Sequence, residues 1–179
     1  MKTSKLEING PILIQTDNYH DQRGFFREIW NTVKYIDKIP HHTWVQTNHS
    51  HSKHATVRGM HFQENEAKLI SVISGKIFDV ALDIRRGSET FGKHIARTLG
   101  PADQMYIPAG FAHGFCVLSE DAHVVYQTNQ FWDKDGSGAI RWDDPDVDIE
   151  WPVIYPILSD KDKVAQSFKE YVENLDTRF

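Results

Sequence analysis

Short runs of β-branched and aromatic residues alternate along most of the chain with clusters of Gly, Pro, Asp, Asn and Ser. The runs at residues 11–16, 43–48, 55–63, 68–74, 76–83, 94–99, 104–107, 111–118 and 123–130 each predict a strand. Their spacing, roughly 8–12 residues from one turn signal to the next, is that of an all-β sandwich or barrel. Ser74-Gly75, between two apolar runs, predicts a hairpin turn, and residues 83–88, with Arg85-Arg86-Gly87, predict an exposed turn. Helical periodicity is scarce. Trp30, Val33, Ile36 and Ile39 predict a short amphipathic helix over 29–39, stopped by Pro40. A second helix is predicted over 159–174, capped by Ser159, with Asp160 and Asp162 in the first turn, where the helix dipole favours acids. Val164, Phe168 and Tyr171 or Val172 form its apolar stripe. Strands follow one another without helices between them, which argues against a parallel α/β fold. The expected architecture is an all-β jelly-roll sandwich or barrel with two short flanking helices.

Composition narrows the class. The chain has 179 residues, the size of one domain, and 40% hydrophobic against 25% charged residues is enough to bury a core. No linker or repeat divides it, so a single domain over 1–179 is expected. A net charge of -5 argues against a nucleic-acid partner. No apolar run reaches the roughly 18 residues of a membrane span, and residues 1–7 lack the apolar stretch of a secretory signal. The single cysteine, Cys116, excludes a disulfide within the chain and fits a reducing cytosol. A soluble cytoplasmic protein is expected.

The chain contains 10 histidines, which raises the possibility of a metal. His41, His42, His49, His51 and His54 read as a polar exposed loop. A metal-binding cupin, a jelly roll with a central ion, places His-x-His on one strand face, so that two imidazoles share the ion. Here that position reads His61-Phe62-Gln63, and glutamine is a poor ligand. Residues 108–113, ending in His113, match the second cupin motif and add one imidazole, which makes a weak site. No metal and no cofactor are therefore expected. Without an ion, His61 is either a packed polar group or a proton carrier. An imidazole titrates near neutral pH, a tyrosine such as Tyr126 can donate a proton, and Lys68 can stabilise an oxyanion. An aspartate such as Asp162 can fix the imidazole tautomer.

The ordered blocks Asp21-Gln22-Arg23-Gly24-Phe25-Phe26-Arg27-Glu28, Val45-Gln46-Thr47-Asn48-His49-Ser50, Arg58-Gly59-Met60-His61-Phe62-Gln63, Lys68-Leu69 and Gly75-Lys76-Ile77-Phe78-Asp79-Val80 carry a resemblance. It continues through residues 107–115, Tyr126, Trp142-Asp143-Asp144-Pro145, Ile149-Glu150-Trp151-Pro152 and residues 158–162. In these blocks the chain resembles the dTDP-4-dehydrorhamnose 3,5-epimerase family, cupin-fold sugar-nucleotide epimerases, from about Leu13 to Asp162.

The resemblance implies a cofactor-independent isomerase that inverts C3 and C5 of a dTDP-linked 4-keto-6-deoxyhexose through enolates, in deoxysugar and polysaccharide biosynthesis. It implies His61 as base, Tyr126 as acid on the other face, Asp162 as partner of His61 and Lys68 near the enolate oxygen. Arg23 and Arg58 are implied on the phosphate side, where a guanidinium fork matches phosphate oxygens. Gln46, Asn48 and Glu28 are implied at the base or sugar, and His113 in a secondary role. Phe131-Trp132 stands where the family usually shows Tyr-Tyr, and Trp132 can still stack on a pyrimidine; Ser137, in a glycine-rich stretch, bears on base or ribose contacts. A homodimer is implied, with N-terminal strands reaching the neighbour so that Arg23 and Glu28 serve the partner's site. Arg58 and His61, three apart, fall on opposite faces of a regular strand, so irregular pairing is predicted at Gly59. The competing readings are a 3-epimerase acting at C3 alone, a 3,4-ketoisomerase, a metal-dependent cupin oxygenase and a non-catalytic sugar-binding barrel.

Overall fold

A computed structural model describes residues 1–176. Among them, thirteen strands form two antiparallel sheets and a separate hairpin. The larger sheet runs in the spatial order β1 (Lys2–Lys5), β2 (Ile12–Gln15), β10 (Asp103–Ile107), β7 (Lys68–Ser74), β12 (Asp121–Thr128), β5 (Gln46–Lys53). The second runs β13 (Ser137–Ala139), β6 (Val57–Gln63), β11 (Phe111–Val117), β8 (Ile77–Asp83), β9 (His94–Leu99). The hairpin is β3 (Asn18–Asp21) with β4 (Gly24–Arg27).

Alternation along the strands sorts the side chains. Ile70, Val72, Met105 and Val124 of the larger sheet meet Ile77, Phe111, Phe115 and Val117 of the second in the core of the sandwich. The outer face of the second sheet offers Val80, Leu82 and Ala112 to the C-terminal segment. The outer face of the larger sheet offers Ile14, Leu69 and Tyr106 to Tyr35 and Ile39. Each of the nine expected strands has its counterpart, as a jelly-roll pattern requires. β1, β13 and the β3–β4 hairpin are additional; their residues are polar or glycine-rich, or lie exposed, and show no period-two burial.

Several local expectations are corrected. Ser74-Gly75 joins β7 to β8, which belong to different sheets, so it turns the chain across the sandwich and closes no hairpin. Gly75 is required there: its φ is +80°, and a Cβ would lie 2.2 Å from the carbonyl oxygen of Asp121. The first helix shrinks to α1 (Thr32–Tyr35), capped by Asn31 Oδ1, which accepts from the amides of Val33 and Lys34. Of its stripe, Trp30 and Ile39 pack against the core while Val33 and Ile36 lie exposed; Tyr35, outside the stripe, is buried and donates its hydroxyl to buried Gln104. The second helix divides into α2 (Asp160–Lys163) and α3 (Phe168–Asp176). Between them Gln166 forms a bridge with Ile140, its carbonyl accepting from Arg141 N at 2.8 Å, and Val164 points into solvent. A capping box of Ser167 and Glu170 restarts the helix: each side chain accepts the other's backbone amide.

Residues 83–88 are not uniformly exposed, because Asp83 is fully buried. Its carboxylate accepts from the Arg85 guanidinium at 2.6 Å, Ser88 Oγ at 2.7 Å and Thr90 Oγ1 at 2.5 Å. Burial alone raises the carboxyl pKa, but the hydrogen bonds outweigh it and hold it at about 2. The unfolded chain therefore takes up this proton first as pH falls. The stabilisation, on the order of 1–2 kcal/mol, is complete above the ordinary carboxylate range and disappears toward pH 2. Acid titration of urea stability tests this: Asp83→Asn is expected to be less stable than the parent at neutral pH, with the gap narrowing as pH falls to 2.

Candidate active site

A cleft of about 240 Å³ opens where β5 and β7 begin and β6 ends. Gln46 and Asn48 of β5, Lys68 of β7 and Tyr126 of β12 form one wall. His61 and Gln63 of β6 with Ser137 and Gly138 of β13 form the other, while Trp132 and Lys161 stand at the mouth. The two sheets thus bring His61 and Tyr126 to opposite sides of one space.

The local backbone explains why β6 can do this. β6 pairs with β11 at His61↔His113 and again at Arg58↔Phe115, so three steps on β6 match two on β11. The extra residue is absorbed at Gly59, φ +145°, where the chain packs so tightly that a Cβ would lie 2.5 Å from Gly114 Cα. The expected irregularity is present. It turns Arg58 toward the larger sheet, where its Nε donates to Ser52 Oγ at 2.9 Å. Arg58 lines a neighbouring cleft of about 300 Å³ that also reaches Asp162 and Ser159.

His61 Nε2 lies 2.5 Å from Asp162 Oδ1. Asp162 is 3% exposed, and its second oxygen accepts from Ser159 Oγ at 2.7 Å. Ser159 also caps α2, so the helix start fixes the carboxylate. Burial raises the Asp162 pKa, but the His61 hydrogen bond and charge, helped by Ser159 and Lys161, outweigh it and leave the pKa below its ordinary value. An ionised carboxylate accepts only, so Nε2 carries the proton and the lone pair of the neutral ring sits on Nδ1. Tyr126 behaves oppositely. Burial, then the nearby Glu66 charge, raise its pKa, with Arg58 partly opposing, so the phenol stays protonated at neutral pH.

His113 does not line the cleft. It sits behind His61 on the inner face of the second sheet, buried, with Nε2 2.7 Å from Asp79 Oδ1. Asp79 Oδ2 has no hydrogen-bond partner among the described residues. Gln63 is no ligand candidate either, because its side-chain amide clamps the loop after β12: Nε2 donates to the Phe131 carbonyl and Oε1 accepts from Asp133 N. That loop presents Trp132, 63% exposed, whose amide donates to Gln46 Oε1. Arg23 and Glu28 lie outside the cleft of their own chain. Arg23 chelates Asp21 on the exposed hairpin, and Glu28 pairs with Lys34 at 2.8 Å.

Sequence reasoning did not select Glu66, whose carboxylate lies 3.1 Å from Lys68 Nζ in the cleft, or Lys161. Glu66 stands two residues before Lys68, the spacing that shares a strand face, and that was the available signal. Asp79 was visible as an acid inside the apolar run of β8, which ends on a second acid, Asp83.

The family model of dTDP-4-dehydrorhamnose 3,5-epimerase matches residues 5–170. A dTDP-4-dehydrorhamnose 3,5-epimerase of Shigella flexneri is 42% identical over 174 residues, covering 94% of this chain and 96% of that protein. The structure of a dTDP-6-deoxy-D-glucose-3,5-epimerase of Legionella pneumophila in complex with dTDP-4-keto-L-rhamnose superposes with TM-score 0.90 at 36% identity, covering 94% of this chain and 93% of that one. A 3′-monoepimerase of Streptomyces bikiniensis in complex with dTDP-quinovose gives 0.87 at 28% identity, covering 96% and 89%.

The bulge makes its own prediction. Gly59→Ala forces a Cβ into Gly114 at a positive φ, and urea unfolding is expected to show a loss of at least about 2 kcal/mol. An unchanged midpoint contradicts the tight β6–β11 approach.

Proposed function

The chain belongs to the dTDP-4-dehydrorhamnose 3,5-epimerase family, and on that premise we propose that the cleft between the sheets inverts C3 and C5 of a dTDP-linked 4-keto-6-deoxyhexose. The enzyme is an isomerase. The observation that carries the site assignment is the placement of His61 and Tyr126 on facing sheets across one cleft, with His61 anchored by a buried carboxylate.

C3 and C5 both flank the C4 ketone, so loss of a proton from either leaves an enolate delocalised onto the ketone oxygen. His61 Nδ1 takes the proton from one face, and Asp162 stabilises the imidazolium that results. The C–H electron pair moves to the ketone oxygen, where Lys68 supplies a cation. Tyr126 then delivers its phenolic proton to the same carbon from the opposite face, and the configuration is inverted. The imidazolium releases its proton and the phenolate regains one from solvent, so each inversion exchanges one carbon-bound hydrogen. His113 is a positioning residue that acts through the strand pairing beneath His61.

Arg58 binds the diphosphate, Gln46 and Asn48 bind the sugar end, and Trp132 supplies the stacking plate for the base. Arg23 and Glu28 act in the cleft of a second copy. The β3–β4 hairpin exposes Tyr19, Phe25 and Phe26, an apolar surface suited to such exchange, and this supports a homodimer. The chain acts as one domain and works in the cytoplasm; no helix of the described residues is long and apolar enough to cross a membrane, and Cys116 is buried as a thiol.

Incubation of the keto sugar nucleotide in D₂O tests the reading. Deuterium is expected at both C3 and C5, with His61→Asn abolishing exchange; label at C3 alone selects the 3-epimerase reading. Asp162→Asn is expected to lower kcat by roughly 10²–10⁴-fold with little change in KM, because the tautomer is lost while binding groups remain. Unchanged kcat removes Asp162 from the mechanism.

A further inference from the structure

The outer face of the larger sheet carries a histidine cluster that the reaction does not use. β5 and β12 pair with His51 directly opposite His123 and Lys53 opposite Asp121. Alternation turns residues 49, 51, 121 and 123 away from the cleft, while Asn48 and Tyr126, also partners in that register, line it. The expectation of a loop here is overturned: His49 and His51 stand on a strand, at fixed spacing, facing a third imidazole.

The side chains form a compact group. The His123 ring stacks on His51 with centroids 4.5 Å apart and on His49 at 5.0 Å. His51 Nε2 lies 3.0 Å from Asp121 Oδ2, and His49 Nε2 lies 2.9 Å from His123 Nδ1. One ligand atom from each of His51, Asp121 and His123 falls within 4.8 Å of the others. Ligands bound to one tetrahedral ion through bonds of roughly 2.0–2.2 Å lie about 3.3–3.6 Å apart, so the group closes on an ion by rotation of the exposed His51 and Asp121 side chains toward half-buried His123. Two imidazoles and one carboxylate form the donor set of borderline divalent metals; the hard ions Mg²⁺ and Ca²⁺ require more oxygen ligands.

We propose that His51, Asp121 and His123 form a surface site for a divalent transition metal of the Zn²⁺ class, with His49 orienting the His123 ring from outside the ligand set. Three protein ligands leave one position for water. The ion clips β5, an edge strand with a single neighbour, to β12. Its role is structural. The cleft that holds His61 lies on the other face of the same two strands, so the ion does not touch His61, while His51 also lines the neighbouring cleft with Arg58.

The test is calorimetric titration of chelator-treated full-length protein with Zn²⁺ alone, together with thermal unfolding and the solvent-exchange assay. One equivalent per chain is expected, with a higher unfolding temperature in Zn²⁺ and unchanged exchange activity. His51→Ala with His123→Ala is expected to weaken binding by roughly 100-fold or more. Asp121→Asn, a milder change that keeps the strand pairing, is expected to weaken it by at least roughly tenfold. His61→Asn is expected to keep the full equivalent. The proposal fails if the parent shows no saturable binding, if the double variant binds as tightly as the parent, or if His61→Asn loses the ion. The last result places the metal in the cleft instead.

Discussion

Two glycine backbones in contact, Gly59 on β6 and Gly114 on β11, set the geometry on which the cleft depends. A Cβ on either would overlap the other strand: from Gly59 it would meet Gly114 Cα at 2.5 Å, and from Gly114 it would meet Met60 Sδ at 2.6 Å. This approach lets β6 take one extra residue without leaving the sheet. Arg58 and His61 then serve the same side of the strand. A regular ladder would turn one of them toward the apolar layer under α3, where a guanidinium has no partner.

The same inner face carries two imidazole–carboxylate pairs that differ in their access to water. His61 is partly open to the cleft while Asp162 behind it is sealed, so a proton can enter and leave through the ring and the negative charge stays fixed. His113 and Asp79 are both buried directly beside this pair in the β6–β11–β8 ladder. Lys68 is not a free cation, since Glu66 neutralises it at 3.1 Å, and the same carboxylate helps to keep Tyr126 protonated. Under the proposed reaction the cleft has its base, a protonated acid and a balanced cation in place before substrate arrives, which limits the reorganisation required.

Two parts of the chain look incomplete within a single copy. The β3–β4 hairpin presents aromatic rings to solvent and holds Arg23 away from its own cleft, tied to Asp21. The loop after β12 holds exposed Trp132 at the mouth of the cleft, fastened through Gln46 and Gln63. In the hairpin Arg23 is held by Asp21 beside exposed aromatic rings, and in the loop Trp132 is held exposed, an arrangement suited to binding a large anionic ligand at the open end of a sandwich.

The sequence alone determined the jelly-roll class and the nine strands with strong apolar periodicity. The residues assigned to enolisation came with the family resemblance, whereas the cap at Ser159 and, once Arg58 and His61 share a cavity, the irregularity at Gly59 were also legible. These follow from local rules: strand alternation, turn residues, and the clash between a three-residue spacing and a two-residue period. Tertiary structure alone decided that Gln166 bridges Ile140 and so breaks the last helix; it also shows the contact of His61 with Asp162, 101 positions away, that the resemblance implied. It also decided that Ser74-Gly75 crosses between sheets and that His51 faces His123. Each of these depends on which strands become neighbours. Sheet order is set by how distant apolar faces pack, a sum over the whole core that no short stretch of chain contains.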